Sequence, residues 1–353
     1  QIKAIYELRK NNDINIKYCI EAEENLYKFN NFFIYSEYNL TPIKYSNELL
    51  NSEITLENDN EFVYLLKQND IDIMILDKTV NFVLINSEIY NHYHDIILLL
   101  EGSKHILCEL PIVLSINELE KCYEIANSNC VLLEFNNYKR FLNEFQYIEG
   151  DIQDIGKLQQ ININIKEFPN YYANDIVKRG GIFFNKVIHE LDLCNFIIND
   201  TLKSVNFITS NTNYENKFNY EFLDIYNVIL KYDNDVVCIL HFNNNYSEQE
   251  YDINMSGTLD NIYINTTIPK KNYDYMSNYY SGYFNKMELF IEKIINNYFF
   301  VNYNENILEN TNHINTYIIK NNEINYETYK RLLLGTKAIQ MSYHMNKEIQ
   351  YEE

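Results

Sequence analysis

A chain of 353 residues is too long for one ordinary hydrophobic core, so two domains are expected. Its hydrophobic share of 46% suffices for packed cores, and no run approaches the roughly 18 uninterrupted apolar residues of a membrane span. With 29 basic and 50 acidic residues the net charge is -21, which repels phosphate backbones and argues against nucleic acid as the main partner.

Local positive potential survives such a balance, because backbone amides and helix N-termini can hold a dinucleotide whatever the global charge. Cys19, Cys108, Cys122, Cys130, Cys194 and Cys238 are dispersed, with no C-x-x-C pair. They are expected to be buried reduced thiols of a cytoplasmic protein, with no metal site. Gln1 is not an initiator and no signal pattern follows it, which reads as a truncated or processed start. Tyr, Asn, Ile and Lys crowd every segment and there is no Trp; such bias warns against giving each tyrosine a role.

In chain order, residues up to Lys10 read as the end of a helix, and Ile14 to Ile20 alternate like a strand. Glu21 follows, where the second strand of a dinucleotide-binding fold ends in an acid that holds the ribose hydroxyls; a solvated loop glutamate is the plain alternative. In that register the first strand and its phosphate turn would precede Gln1, and no G-x-G-x-x-G occurs within the chain. Asn47 to Leu50 and Glu61 to Gln68 are expected to be helical, Ile71 to Ile75 a strand, and the polar stretch 51–60 an insertion.

Phe82 to Ile85 reads as a buried strand ending at Asn86-Ser87-Glu88, the carboxyl end at which open α/β sheets bind ligands. His92 and His94 do not share a helix face, which disfavours a metal pair. Asp95 to Glu101 closes a helix at Gly102, Ile106 to Cys108 is a strand buried on both faces, and Pro111 stops it. Ser115 to Glu118 has capping-box spacing, with Leu119, Cys122 and Ala126 on one helix face beyond it. The α-β-α alternation is the unit of a parallel sheet, so residues 1–135 are assigned to a Rossmann-type nucleotide-binding domain.

Residues 136–353 form the second expected domain. Ile161–Ile165, 204–209, 224–232 and 236–242 alternate as strands with polar turns, Asp233-Asn234 being the clearest, which indicates a large, mostly antiparallel sheet. Amphipathic helices are expected over 278–297 and 326–345.

The run His92 to Pro111 resembles, without a gap, the pattern H-x-E-I-A-x-x-A-L-x-A-G-K-H-V-L-x-E-K-P of the Gfo/Idh/MocA oxidoreductases, the glucose-fructose oxidoreductase and inositol dehydrogenase family. Arg179-Gly-Gly-Ile-Phe-Phe-Asn-Lys-Val-Ile-His-Glu-Leu-Asp192 resembles the G-G-I-F-x-D-x-x-I-H-D-x-D signature of inositol 2-dehydrogenases in particular. Tyr138-Lys-Arg-Phe141, Ile155-Gly-Lys157, Tyr251 to Gly257 and Tyr279 to Ile291 are further matches. Gly102, Gly156, Gly180, Gly181 and Gly257 fall at or beside family glycines, although the chain has only 8.

The resemblance implies NAD or NADP as cofactor, hydride transfer on a sugar or polyol, and a homo-oligomer formed through the C-terminal sheet. It implies a cofactor site at Glu21, Ser87, His92, Lys104, Glu109 and Leu110, and carries the family's catalytic lysine, aspartate and histidine onto Leu110, Asn185 and His189. Hydride removal from a secondary alcohol needs a base for the hydroxyl proton and positive charge near the developing alkoxide. His189 can be that base, whereas Leu110 cannot supply charge and Asn185 cannot stabilise an imidazolium. Losing a donor of the lysine kind costs roughly 3 to 4 kcal/mol of barrier. Three outcomes remain open: a dehydrogenase with charge from Lys186, Lys178 or Arg179, a reductase of another substrate class, and an inactive relative serving as a binding or assembly module.

Overall fold

The computed structural model describes residues 18–21, 43–45, 63–67, 71–145, 148–167, 180–209, 223, 225–244, 250–265, 277–295 and 325–351. Strands β1 (Tyr18–Glu21), β2 (Ile43–Tyr45) and β3 (Val63–Lys67) pair in the order β1-β3-β2, all parallel. After α1 (Ile71–Leu76) come β4 (Phe82–Ile85), α2 (Ile89–Glu101), β5 (His105–Glu109), α3 (Ile116–Ser128) and β6 (Leu133–Asn136). Here too the strands are parallel, in the order β4-β5-β6. This Rossmann-like alternation is the arrangement expected from the sequence.

Two elements differ from expectation. The 61–68 stretch is a strand, in keeping with the strand preference of Val63 and Tyr64. The 71–75 stretch is helical and buries Met74, with Ile71, Ile73 and Ile75 packed partly against the core around it. Expected elements over residues 1–10 and 47–50, and the insertion at 51–60, lie outside the described residues.

Local signals around β5 act as anticipated. Gly102 closes α2, and a Cβ there would meet Cγ2 of Ile75 at 2.6 Å, so α1 and α2 approach closely at this point. Ser115 caps α3 through a complete capping box: its hydroxyl accepts from the Glu118 amide at 3.3 Å and its amide donates to Glu118 Oε2 at 3.2 Å. Leu119, Cys122 and Ala126 turn inward. Cys108, Cys122, Cys194 and Cys238 are free and buried, but Cys130 is exposed, because the chain turns after α3 with Cys130 at a φ of 53°.

A 3-10 turn (Tyr138–Phe141) and α4 (Ile148–Asp154) lead into a seven-stranded sheet. Its strands are β7 (Leu158–Lys166), β8 (Leu202–Thr209), β9 (Ile225–Tyr232), β10 (Val237–Asn243), β11 (Glu250–Gly257), β12 (Asn261–Asn265) and β13 (Ile349–Gln350). The order is β12-β11-β7-β10-β9-β8-β13, antiparallel except for the β7–β10 pair. Period-two burial places Ile161, Ile163 and Ile165 inward with Cys238, Leu240 and Phe242. At the Asp233-Asn234 turn the left-handed residue is Asp235, with φ 68°, and the Asn234 side chain accepts from the Val236 amide at 3.1 Å.

A π-helical turn (Phe183–Val187) runs directly into α5 (Ile188–Ile198), and α6 (Ser277–Ile295) and α7 (Tyr326–Met345) lie between β12 and β13 in the chain. Both late helices return to the unit of β4, β5 and β6. Met287, Phe290 and Ile291 of α6 pack on Leu107 with Phe82 and Leu84 alongside, and the fully buried Lys286 ammonium bonds Glu134 of β6 at 2.5 Å. Lys293 reaches the other oxygen of the same carboxylate at 2.6 Å, and the two ammonium groups hold Glu134 down to about 2 against the upward effect of its burial. On α7, the Tyr329 hydroxyl donates to the Val113 carbonyl at 2.8 Å and accepts from its amide at 3.2 Å, fixing the loop after Pro111.

Candidate active site

The carboxyl ends of β4, β5 and β6 bring Ser87, Glu109, Leu110, Asn136 and Asn137 to one edge of a parallel sheet, the edge where such sheets take ligands. Glu109 and Asn136 are register partners, and the Asn136 amide donates to Glu109 Oε1 at 2.5 Å. Burial pushes the Glu109 carboxyl up to about 7, with that hydrogen bond opposing it. Oδ1 of Asn136 and both amide atoms of Asn137 are buried with no hydrogen-bond partner among the described residues. Orphaned polar atoms at this edge fit a polar ligand that satisfies them.

The adjoining wall is built by the 3-10 turn and α5. Lys139 pairs with Glu190, and Arg140 grips Asp192 with two nitrogens, its Nε at 2.8 Å from Oδ2. All four side chains are buried. Two of the motif stretches, Tyr138 to Phe141 and Gly180 to Asp192, are thus joined by adjacent ion pairs. Tyr251 of β11 completes the cluster: its hydroxyl donates to Glu190 Oε2 at 2.7 Å, and Lys139 Nζ lies 4.5 Å from its ring centroid.

His189 stands one residue before Glu190, with its ring centroid 6.0 Å from that of Tyr138. Tyr138 in turn stacks on Tyr283 of α6 at 4.1 Å. Burial, reinforced by the neighbouring Lys139 ammonium, brings the imidazole down to about 3, so it is neutral near neutral pH. Asn185 lies in the π-helical turn four residues earlier, a local geometry common at functional sites. The turn begins after Gly180 and Gly181, whose φ of 86° and 75° only glycine adopts without strain. Lys186 Nζ is engaged by Glu167 and by Asn244 Oδ1 at 2.8 Å. Lys178 and Arg179 lie outside the described residues.

Not every expected residue reaches this edge. Leu110 does, but it is only 7% exposed and joins the apolar core, so its side chain offers the site no polar atom. Lys104 does not: it precedes β5 at the opposite end, roughly 16 Å of extended chain from Glu109. Its ammonium bonds the carbonyls of Asp77 and Val80 at 2.8 and 3.0 Å. His92 is buried, with ring nitrogens 2.8 Å from the Pro111 carbonyl and 3.0 Å from the Ser87 carbonyl. It braces the two loops that flank the site, and burial lowers its pKa. Ser87 is exposed, its hydroxyl 3.4 Å from Asp95 Oδ2. Glu21 ends β1, and its side chain lies outside the described residues. Lys139, Glu190, Tyr251 and Asn137 were not anticipated, although the first three fall within the motif stretches. Among the described residues no group of three or more His, Cys, Asp or Glu could hold a metal ion, and no helix is long and apolar enough to cross a membrane.

Two family models match, in the same order as the two structural units. Residues 47–136 match "Oxidoreductase family, NAD-binding Rossmann fold", and residues 151–262 match "GFO/IDH/MocA C-terminal domain". The chain belongs to the Gfo/Idh/MocA family. Its cofactor is accordingly NAD or NADP, and the orphaned amide atoms at the β5–β6 edge are compatible with one.

Among family members, the myo-inositol 2-dehydrogenase of Thermotoga maritima is 25% identical over 134 residues, 37% of this chain and 40% of the relative. The inositol 2-dehydrogenase of Rhizobium meliloti is 29% identical over 107 residues, 30% of this chain and 32% of the relative. The chain thus matches less than half the length of these curated relatives. Across the fold, a scyllo-inositol dehydrogenase from Lactobacillus casei, solved with NAD(H) and scyllo-inositol, superposes with a TM-score of 0.68. That likeness covers 96% of this chain and 99% of the other at 17% identity.

Proposed function

We propose that this Gfo/Idh/MocA protein is an NAD(P)-dependent oxidoreductase that interconverts a secondary hydroxyl and a carbonyl on a sugar or polyol of the inositol class. When bound, the nicotinamide supplies the hydride acceptor or donor. Ser87, Glu109 and Asn136 would flank it at the carboxyl edge of the parallel strands. The neutral His189 imidazole takes the hydroxyl proton at a ring nitrogen. The Lys139 ammonium, held by Glu190 and Tyr251, supplies the positive charge that offsets a developing alkoxide.

The observation that carries this proposal is the Lys139–Glu190–Tyr251 cluster built on the residues next to His189, since it places a cation in a site whose motif lysine is Leu110. Burial, with the same cation adding to it, makes His189 a weak base, so turnover is expected to be slower than with a lysine–aspartate–histidine set. Burial of Leu110 favours a second reading, in which nucleotide binds and no turnover follows. The outer face of the seven-stranded sheet, with Asn162, Ile229, Ile239 and His241, is the surface proposed for pairing with a second copy.

The test is titration of NADH and NADPH into the full chain by nucleotide fluorescence, followed by assay with myo- and scyllo-inositol and NAD. The lack of Trp keeps the protein background low. Saturable binding with inositol-dependent NADH formation that His189→Ala abolishes supports the dehydrogenase. Saturable binding without turnover on any polyol or ketose supports the second reading. No binding of either nucleotide at millimolar concentration rules out both.

A further inference from the structure

Helix α6 grips the 3-10 turn Tyr138–Phe141 at both ends. Tyr283 stacks on Tyr138 at 4.1 Å, and Gly282 approaches the Tyr138 carbonyl oxygen so closely that a Cβ would lie 2.3 Å from it. The Asn285 amide donates to the Phe141 carbonyl at 2.9 Å. The next residue, Lys286, is fully buried, with its ammonium 5.5 Å from the Phe141 ring centroid and 2.5 Å from the Glu134 carboxylate of β6. Lys293, two turns later, shares that carboxylate at 2.6 Å.

Burying an ammonium so completely is costly, and Met287, Phe290 and Ile291 already seat the helix on Leu107. What the charges add is a fixed register. Apolar contacts tolerate small shifts, whereas two charge-assisted hydrogen bonds to one carboxylate do not. The turn depends on such a fix. Strand β6 is laddered to β5 as far as Asn136, but the turn beyond it belongs to no sheet. That turn sets Tyr138 beside His189, Lys139 against Glu190 and Arg140 against Asp192. We infer that the buried Lys286–Glu134 pair positions the active site: it fixes α6 on β6 in the one register that presents Tyr138 and Lys139 to His189 and Glu190. This rests on the function proposed above, which makes His189 the base. It goes further in placing a determinant of turnover on two residues that act through the turn. Its signature is a split, because the β5–β6 ladder holds Glu109 and Asn136 whatever α6 does: loss of the pair lowers kcat and spares nucleotide affinity.

Lys286→Met combined with Glu134→Gln removes both charges at nearly constant volume, an exchange that buried ion pairs often tolerate, so the double variant serves even where Lys286→Met alone fails to fold. Hydrogen exchange reads it without turnover. The Arg140 and Leu142 amides, bonded to the Asn137 and Lys139 carbonyls, are expected to exchange about tenfold faster or more, the equivalent of roughly one hydrogen bond, while the β5–β6 ladder keeps its rates. The His189 imidazole should titrate at a higher pH as Lys139 withdraws. With inositol and NAD, kcat should fall roughly tenfold to a hundredfold, as for a misplacement of up to about 1 Å, with NADH affinity within about twofold of the parent. Turn amides that keep their parent rates, or faster exchange spread evenly over turn and ladder, overturn the inference. So do a loosened turn with an unmoved His189 titration, and NADH affinity that falls in step with kcat. A parent chain that binds NADH but turns over no polyol removes the dehydrogenase reading, and hydrogen exchange with the His189 titration then decides the positioning role by itself.

Discussion

Replacing Lys139 with methionine probes the site most directly, because the chain length is kept and only the ammonium is lost. Glu190, which is buried, would then stand without its cation, retaining among the described residues the Tyr251 hydroxyl as donor. Removing one partner of a buried pair costs about 3 to 5 kcal/mol, because the remaining charge stays desolvated. Adding Glu190→Gln to Lys139→Met removes that stranded charge, so the double variant should recover on the order of 2 kcal/mol relative to the single one. Urea denaturation of the four proteins of the cycle measures both quantities. In the same single variant the His189 ring should titrate at a higher pH than in the parent, still below 6.5, since burial is the larger cause of its depression and remains. A Lys139→Met protein within about 0.5 kcal/mol of the parent, with the His189 resonance unmoved, would refute both the buried pair and its action on the imidazole.

At Gly282 of α6 a Cβ would lie 2.3 Å from the Tyr138 carbonyl oxygen, so Gly282→Ala should force the helix off the 3-10 turn and destabilise by about 1 to 3 kcal/mol in thermal denaturation. Gly335→Ala is the contrast: its nearest neighbour is a Leu191 methyl at 3.0 Å, which can yield, so the gain in helix propensity of up to about 1 kcal/mol should leave it near neutral. Two groups should tilt stability against pH in opposite senses. For His189, folded near 3 against 6.5 unfolded, the stabilising contribution is complete above about 6.5 and is lost as pH falls toward 3. For Glu109, raised from 4.5 to about 7, it is complete below 4.5 and is lost as pH rises through 7. Denaturation midpoints between pH 4 and 8 should therefore flatten on the acid side in His189→Gln and on the neutral side in Glu109→Gln. Finally, Leu110→Lys with Asn185→Asp restores the motif pair, and NADH formation with myo-inositol should rise by a factor of hundreds, the reverse of losing one preorganised donor.

Much of the architecture is carried by short-range signals. The Gly102 stop, the Ser115–Glu118 box and the period-two runs of β7 to β10 each act within a few residues, and each folds as its pattern implies. Where packing decides, the pattern misleads: Ile71 and Ile75 carry strand preferences but are drawn into a helix whose Ile75 abuts Gly102. The site shows the same division. Leu110, Asn185 and His189 are found by motif, since the motif is contiguous. Lys139 meets Glu190 across 51 residues and Glu190 meets Tyr251 across 61, and no spacing along the chain announces either contact. Lys104 shows the converse, a motif residue whose side chain is engaged by the Asp77 and Val80 carbonyls.

The return of α6 onto β6 has a bearing on how the protein is made. Glu134 meets Lys286 across 152 residues, and Val113 meets Tyr329 across 216. While the chain is being synthesised, Phe82, Leu84 and Leu107 wait for Met287, Phe290 and Ile291 to cover them. The nascent β4-β5-β6 sheet thus holds an apolar face open for most of translation, a condition that slows folding through large loop closures and invites chaperone capture. Ribosome-stalled chains ending before α6 should accordingly be protease-sensitive around β4 and β5, and chains extended beyond α7 should be protected there.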